Sequence, residues 1–190
     1  MKKSDIKYIL NISLRLLVIC AFIALLVASV NFVTKPVIER NDALAQAKAI
    51  EELFSEEISY TDLCIPEKDL LESVKSVFEV KNSENERIGF CVKISPSGFK
   101  GNVDLLVAVS SDLSVSGVKV TATNDETVGI GTKVADKEFT EKFIGLSEEI
   151  TSKNISDYII AGATKTSKPV SAAISNALMQ VKSFVREENS

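Results

Sequence analysis

The chain has 190 residues, 45% hydrophobic and 25% charged, with 22 basic against 26 acidic side chains and a formal net charge of −4. That allows one ordinary domain and gives no broadly basic surface for nucleic acid. Histidine and tryptophan are absent and the three cysteines, Cys20, Cys64 and Cys91, are widely spaced, which excludes Ser-His-Asp triads, histidine-ligated haem, the usual zinc sets and CxxC redox or iron–sulfur patterns.

The first element is apolar. From Leu16 to Val33 the chain reads LLVICAFIALLVASVNFV, broken only by Ser29 and Asn31, and it extends back through Ile9, Leu10, Ile12 and Leu14. That length spans a bilayer as a helix. Lys2, Lys3, Lys7 and Arg15 precede or open the span and Lys35 and Arg40 follow it, a bias that favours a cytoplasmic N-terminus and an extracytoplasmic remainder. The charged start, the polar exit at Thr34, Lys35 and Pro36, and the lack of a polar face argue against a buried core helix. A cleaved signal peptide, with Val27, Ala28 and Ser29 at the processing site, is the remaining alternative. Either way the bulk is exported. Residues 1–33 carry +3, leaving −7 for the rest, an acidic body with no electrostatic pull toward anionic lipid or nucleic acid. In an oxidising compartment Cys64 and Cys91 are candidates to pair.

Val37 to Phe54 is rich in helix formers with apolar groups at helical spacing, an amphipathic connector. Ser55 to Ser73 is irregular and acidic, with Pro66 against a continuous element. Strands are predicted over Val74 to Val80, Ile88 to Ile94, Val103 to Val109 and Val115 to Thr123, the last two joined by a hairpin at residues 110–114. Asp136 to Phe143 reads as a short helix with Phe139 and Phe143 on one edge, and Ser156 to Ile160 as a brief strand. From Ser167, taken as N-cap, with Pro169 in the first turn, Val170, Ala173, Ile174, Ala177, Leu178, Val181 and Phe184 share one helical face. The composite is α+β, a single N-terminal membrane helix followed by a mainly antiparallel sheet covered by helices. The expected division is 1–35 as cytoplasmic start and anchor, 36–73 as connector and irregular segment, and 74–190 as the functional domain.

Two segments are suited to chemistry. In Glu126-Thr127-Val128-Gly129-Ile130-Gly131 the glycines permit positive φ and close approach to a flat ligand, and Thr127 offers a hydroxyl. An ordinary turn is the competing reading. In Ala161-Gly162-Ala163-Thr164-Lys165-Thr166-Ser167, which enters the last helix, unpaired amides and the positive dipole end favour a phosphate near Thr164 or Thr166. Gly162 and Ala163 leave room around it and Lys165 adds charge. A plain helix cap is the alternative there.

Together the two segments resemble a family. Gly162 to Ser167 is similar to the SGATxTS signature of the FMN-binding domain in the G subunit of Rnf-type electron-transport complexes and the C subunit of sodium-translocating NADH:quinone reductases, and Glu126 to Gly131 is similar to its ETPGLG loop. The Thr34 to Pro36 exit, the single anchor and the order of the motifs fit as well, and the length suits the Rnf G subunit better.

The resemblance implies an extracytoplasmic FMN-binding domain on a single-pass anchor in the cell (inner) membrane. It implies FMN joined covalently, as a phosphodiester, to Thr164 by a flavin transferase, with Thr166 the second choice. The implied role is electron carriage within an Rnf-type ferredoxin:NAD oxidoreductase complex coupled to sodium or proton translocation, without substrate turnover by this chain alone. The other subunits of the complex are the implied partners. A stand-alone extracytoplasmic flavoprotein and a non-redox ligand-binding adaptor are the alternatives. Glu126 near the ring would lower the flavin potential and the amides of Gly129 or Gly131 would raise it. No metal site is expected. Val128 and Ile130 stand where the family has proline and leucine, and Tyr158 and Ala161 where it has Asp and Ser or Thr, with Asp157 displaced by one.

Overall fold

A computed structural model describes residues 3–54, 58–123, 125–151 and 154–188. Lys2 of the basic N-terminal group and residues 55–57 of the irregular segment lie outside the described residues. The chain divides into two compact units, residues 1–45 and 46–190.

Helix α1 runs Lys3–Phe54 and passes through Pro36 without ending there, so the element expected to stop at the Thr34-Lys35-Pro36 exit continues into the connector. It is long and apolar enough to cross a membrane. Side chains from Leu16 to Val33 are exposed on every side of the helix, the pattern of a lipid-facing rather than a core helix. Its hydroxyls need no outside partner: Ser29 Oγ donates to the Leu25 carbonyl at 2.7 Å and Thr34 Oγ1 to that of Val30 at 2.9 Å.

In the second unit five antiparallel strands lie in chain order, β1 (Ile58–Asp62), β2 (Val74–Asn82), β3 (Arg87–Ile94), β4 (Asp104–Ser110) and β5 (Val115–Ala122). β2 to β5 match the predicted strands within two residues. β1 was not expected, because it is an edge strand whose residues are largely exposed and show no burial alternation.

Both faces of the sheet are covered, which is why β4 reads as an unbroken apolar run, Leu105 to Val109, all buried. One face, with Phe90, Val92, Ile94, Leu105, Val107 and Val109, packs on helix α3 (Thr164–Glu188) through Val170, Ala173, Ile174, Ala177, Leu178 and Val181. The other, with Phe78, Val80, Cys91 and Leu106, packs on Ala49 and Ile50 in the last turns of α1. The predicted helical face of α3 is the buried one, with Phe184 partly buried at its end against Phe90.

Between β5 and α3 lie short turns: a 3-10 segment over Gly131–Ala135, helix α2 (Lys137–Thr140) and a further 3-10 turn, Glu141–Phe143. The expected strand over Ser156 to Ile160 is instead a 3-10 turn at Ile155–Tyr158. Tyr158 stacks on Phe143, their centroids 5.1 Å apart, and its carbonyl accepts the Ser171 hydroxyl at 2.6 Å. Among the described residues no strand flanks it to supply ladder bonds.

The two cysteines of this unit do not pair. Cys91 is buried in the cluster facing α1, Cys64 is exposed beside Phe184 of α3, and both are free thiols. The intervening sheet separates them.

Candidate functional site

Three segments far apart in sequence meet at one end of α3. The last of them is fixed by a turn. Ala163 N–H donates to the Ile160 carbonyl at 3.0 Å, and Gly162 sits at φ +83°, which glycine adopts without the Cβ penalty. The helix then starts at Thr164, three residues before the predicted cap. Ser167 lies inside it. Its Oγ accepts the Ile160 amide at 3.0 Å and donates to the Ala163 carbonyl at 3.0 Å, so Ser167 locks the turn rather than capping the helix.

The amides of Thr166 and Ser167 donate to Ala163, whereas those of Thr164 and Lys165, in the open first turn, have no acceptor among the described residues. Thr164 is exposed. Thr166 is 2% exposed, and its hydroxyl donates to Glu126 Oε2 at 3.0 Å.

In the second segment Gly129 takes the expected positive φ, +76°, but Gly131 does not. Their amides are already engaged: Gly129 N–H donates to Thr132 Oγ1 at 2.9 Å and Gly131 N–H to the Thr127 carbonyl at 2.8 Å. Neither is left for the flavin contact considered for them. What Gly131 supplies is room for Glu126, whose Oε2 occupies the volume a Cβ there would need.

Glu126 is buried. Burial acts to raise its pKa, and the amides of Lys100, Phe99 and Gly101 with the Thr166 hydroxyl outweigh that, holding the carboxyl below its ordinary value of 4.5. It is an ionised carboxylate at neutral pH.

The third segment, residues 95–103 between β3 and β4, was missed by sequence reasoning. It is a tight loop, with Gly98 N–H bonded to the Gly101 carbonyl at 2.8 Å, that presents Phe99 half-exposed. Lys165 Nζ lies 4.9 Å from the centre of the Phe99 ring, a cation–π pair joining the loop to α3. The legible signal was an aromatic between two glycines in Pro96-Ser97-Gly98-Phe99-Lys100-Gly101.

The segments enclose a cleft of about 390 Å³, within the roughly 300–1,000 Å³ of small-molecule sites. Glu126, Thr127, Ile130, Gly131 and the run Gly162 to Thr166 line it together with Phe99. Of the predicted residues only Gly129 and Ser167 stand back from it. Phe99 and Ile130 give it apolar surface, while the Thr164 hydroxyl, the free α3 amides and the Lys165 ammonium give it an anion-binding end. A phosphate joined to a flat aromatic body fits this donor set.

Comparison with known proteins decides the family. Residues 98–179 match the model of an FMN-binding domain, a span that contains every residue lining the cleft, and residues 1–53 match that of the RnfG N-terminal region. The chain is 30% identical to the G subunit of the Na(+)-translocating ferredoxin:NAD(+) oxidoreductase complex of Acetobacterium woodii, covering 92% of each chain. The chain belongs to the RnfG family. It is also 26% identical to the G subunit of the proton-translocating ferredoxin:NAD(+) oxidoreductase complex of Clostridium ljungdahlii, over 96% of this chain and 97% of the relative. The crystal structure of Shewanella oneidensis NqrC shares the fold, with a TM-score of 0.50 at 16% identity over 74% of this chain and 88% of that one. RnfG membership and the exposed apolar run of α1 make this a membrane-anchored chain with an FMN-binding domain.

Proposed function

We infer that this RnfG chain is the electron-carrying subunit of an ion-translocating ferredoxin:NAD oxidoreductase complex, with FMN held as a phosphodiester on Thr164. The observation that carries the assignment is the contrast between the two threonines. Thr164 is exposed at the cleft with unpaired amides beside it, whereas the Thr166 hydroxyl is buried and committed to Glu126. A transferase can reach the first and not the second.

When bound, FMN supplies the electron acceptance and donation. The chain's residues do the rest. The α3 amides and Lys165 favour the phosphate's negative charge, and Phe99 and Ile130 offer the apolar surface an isoalloxazine requires. A threonine ester does not titrate, and a covalent tether prevents cofactor loss outside the cytoplasm. The anchor is read as single-pass in the cell (inner) membrane, N-terminus cytoplasmic and domain outside, from the basic residues before the span. The other subunits of the complex are its partners, and the coupling ion is sodium or a proton, as in the relatives named above.

The test is co-production with a flavin transferase, followed by a denaturing gel viewed for flavin fluorescence and peptide mass analysis. Fluorescence that survives denaturation, maps to the peptide holding Thr164, is abolished in Thr164→Val and is at most reduced in Thr166→Val supports the assignment. Flavin released on denaturation favours reversible binding, and a chain that never carries flavin favours an adaptor role.

A further inference from the structure

The Glu126 carboxylate is surrounded by protein donors. Oε1 accepts the amides of Phe99 at 2.6 Å and Lys100 at 3.1 Å, and Oε2 accepts the Thr166 hydroxyl at 3.0 Å. An ionised carboxylate has about four lone-pair sites. Most of its capacity is taken up by the chain itself.

The backbone is also cleared around it. A Cβ on Gly98 would overlap Oε1 and one on Gly131 would overlap Oε2. Gly131 therefore requires glycine for the sake of this one side chain, and Gly98 for it and for the Gly101 carbonyl, which lies 2.9 Å from the same point. A residue that served only to face a bound ring would need neither the glycines nor three protein donors.

We propose that Glu126 is a positioning residue: its carboxylate fastens the loop carrying Phe99 to the first turn of α3 carrying Thr164, and makes no bond to the cofactor. The identity of the cofactor rests on the flavin reading above; the clasp itself does not. Glutamine at 126 keeps the size and can set its oxygen on the Phe99 and Lys100 amides, but it loses the charge that strengthens those bonds and must reverse the bond to Thr166, its NH2 donating to the hydroxyl. Gly131→Ala leaves the charge and every donor in place and displaces the carboxylate sterically.

The experiment uses the full chain in detergent. Amide hydrogen exchange is followed at Phe99, Lys100 and Gly101 without flavin in the wild type, Glu126→Gln, Gly131→Ala, Thr166→Val and Thr166→Ser. Exchange is expected to accelerate about tenfold or more in Glu126→Gln and Gly131→Ala, to rise in Thr166→Val, and to return to wild type in Thr166→Ser, which keeps the hydroxyl. Thr166→Val removes a single bond, so it decides the matter if Glu126→Gln fails to fold. After co-production with the transferase, flavin per chain should fall in the same variants and recover in Thr166→Ser.

Unchanged exchange in Glu126→Gln and Gly131→Ala, with flavin loading reduced, overturns the proposal and assigns Glu126 to the cofactor. A wild-type chain that takes no flavin overturns the cofactor reading, while the exchange rates still decide the clasp.

Discussion

Leu53 Cδ2 stands 2.8 Å from the point that a Cβ on Gly117 would occupy. The last turns of α1 are therefore seated directly on β5, and they also bury Ala49 and Ile50 against Phe78, Val80 and Leu106. Gln46 accepts a hydrogen bond from Lys93 Nζ at 3.0 Å, and Glu52 pairs with Lys119. Residues 46–54 belong to the folded domain.

This sets where the chain tolerates truncation. Fragments beginning at residue 36 or 46 are expected to be soluble and to melt cooperatively. One beginning at residue 55 exposes the face lined by Phe78, Val80 and Leu106, forfeiting about 1.5–3 kcal/mol for each large side chain no longer buried. Thermal unfolding and gel filtration check this, and a fragment from 55 as stable and monomeric as one from 46 would contradict it.

The glycines of the Gly129-Ile130-Gly131 loop are expected to respond differently to alanine. Gly129 has a positive φ and open space around it, so Gly129→Ala costs only about 1–2 kcal/mol of backbone strain. Gly131→Ala must expel a charged carboxylate that accepts three hydrogen bonds, and its cost is expected to exceed that of Gly129→Ala by about 1–3 kcal/mol. Denaturant unfolding of both variants measures the difference. Equal costs would show that Glu126 moves aside freely.

Acid should open the loop at residues 98–101. The folded-state pKa of Glu126 is lowered by its hydrogen bonds, so its contribution is fully present above the unfolded carboxyl value of about 4.5 and is lost as pH falls through the lower folded value. Amide protection at Phe99 and Lys100, corrected for intrinsic exchange, should be flat from about pH 8 to 5 and decline as pH falls below 4.5. Protection that falls between pH 7 and 5 would mean the carboxyl titrates higher than its surroundings dictate.

Thiol chemistry distinguishes the cysteines. Burial pushes the Cys91 thiol up to about 12, so at neutral pH it is protonated as well as inaccessible. Cys64 is exposed. Maleimide is expected to label Cys64 in the native chain within minutes and Cys91 only after unfolding, with mass analysis of the two peptides as readout. Failure of Cys64 to label under non-reducing conditions, with recovery after reduction, would reinstate a disulfide.

The elements legible in the sequence are those that bury apolar residues in a recognisable pattern. β2 to β5 were readable as short apolar, β-branched segments bounded by turn residues, and the face of α3 as a repeat at three and four. β1 buries almost nothing, so it left no pattern. Ser167-Lys168-Pro169 imitates a helix start, yet the Ser167 hydroxyl is taken by the Ile160 amide and the helix begins at Thr164. In the cleft, the two motif segments carried their own local signals. The loop around Phe99 offered only an aromatic between two glycines, whose link to the cleft runs through Glu126, next to Gly98 only in the folded chain.

Every strand of the sheet pairs only with its neighbours in the chain. A polypeptide emerging N-terminus first finds each partner already in place, and loop closure stays short. The cleft has no such convenience: it needs the β3–β4 loop, the stretch after β5 and the start of α3, and so it is completed only when the final helix docks. On the reading proposed above, a group attached at Thr164 meets a finished scaffold, and loading is then a maturation step that reports on successful assembly of the domain.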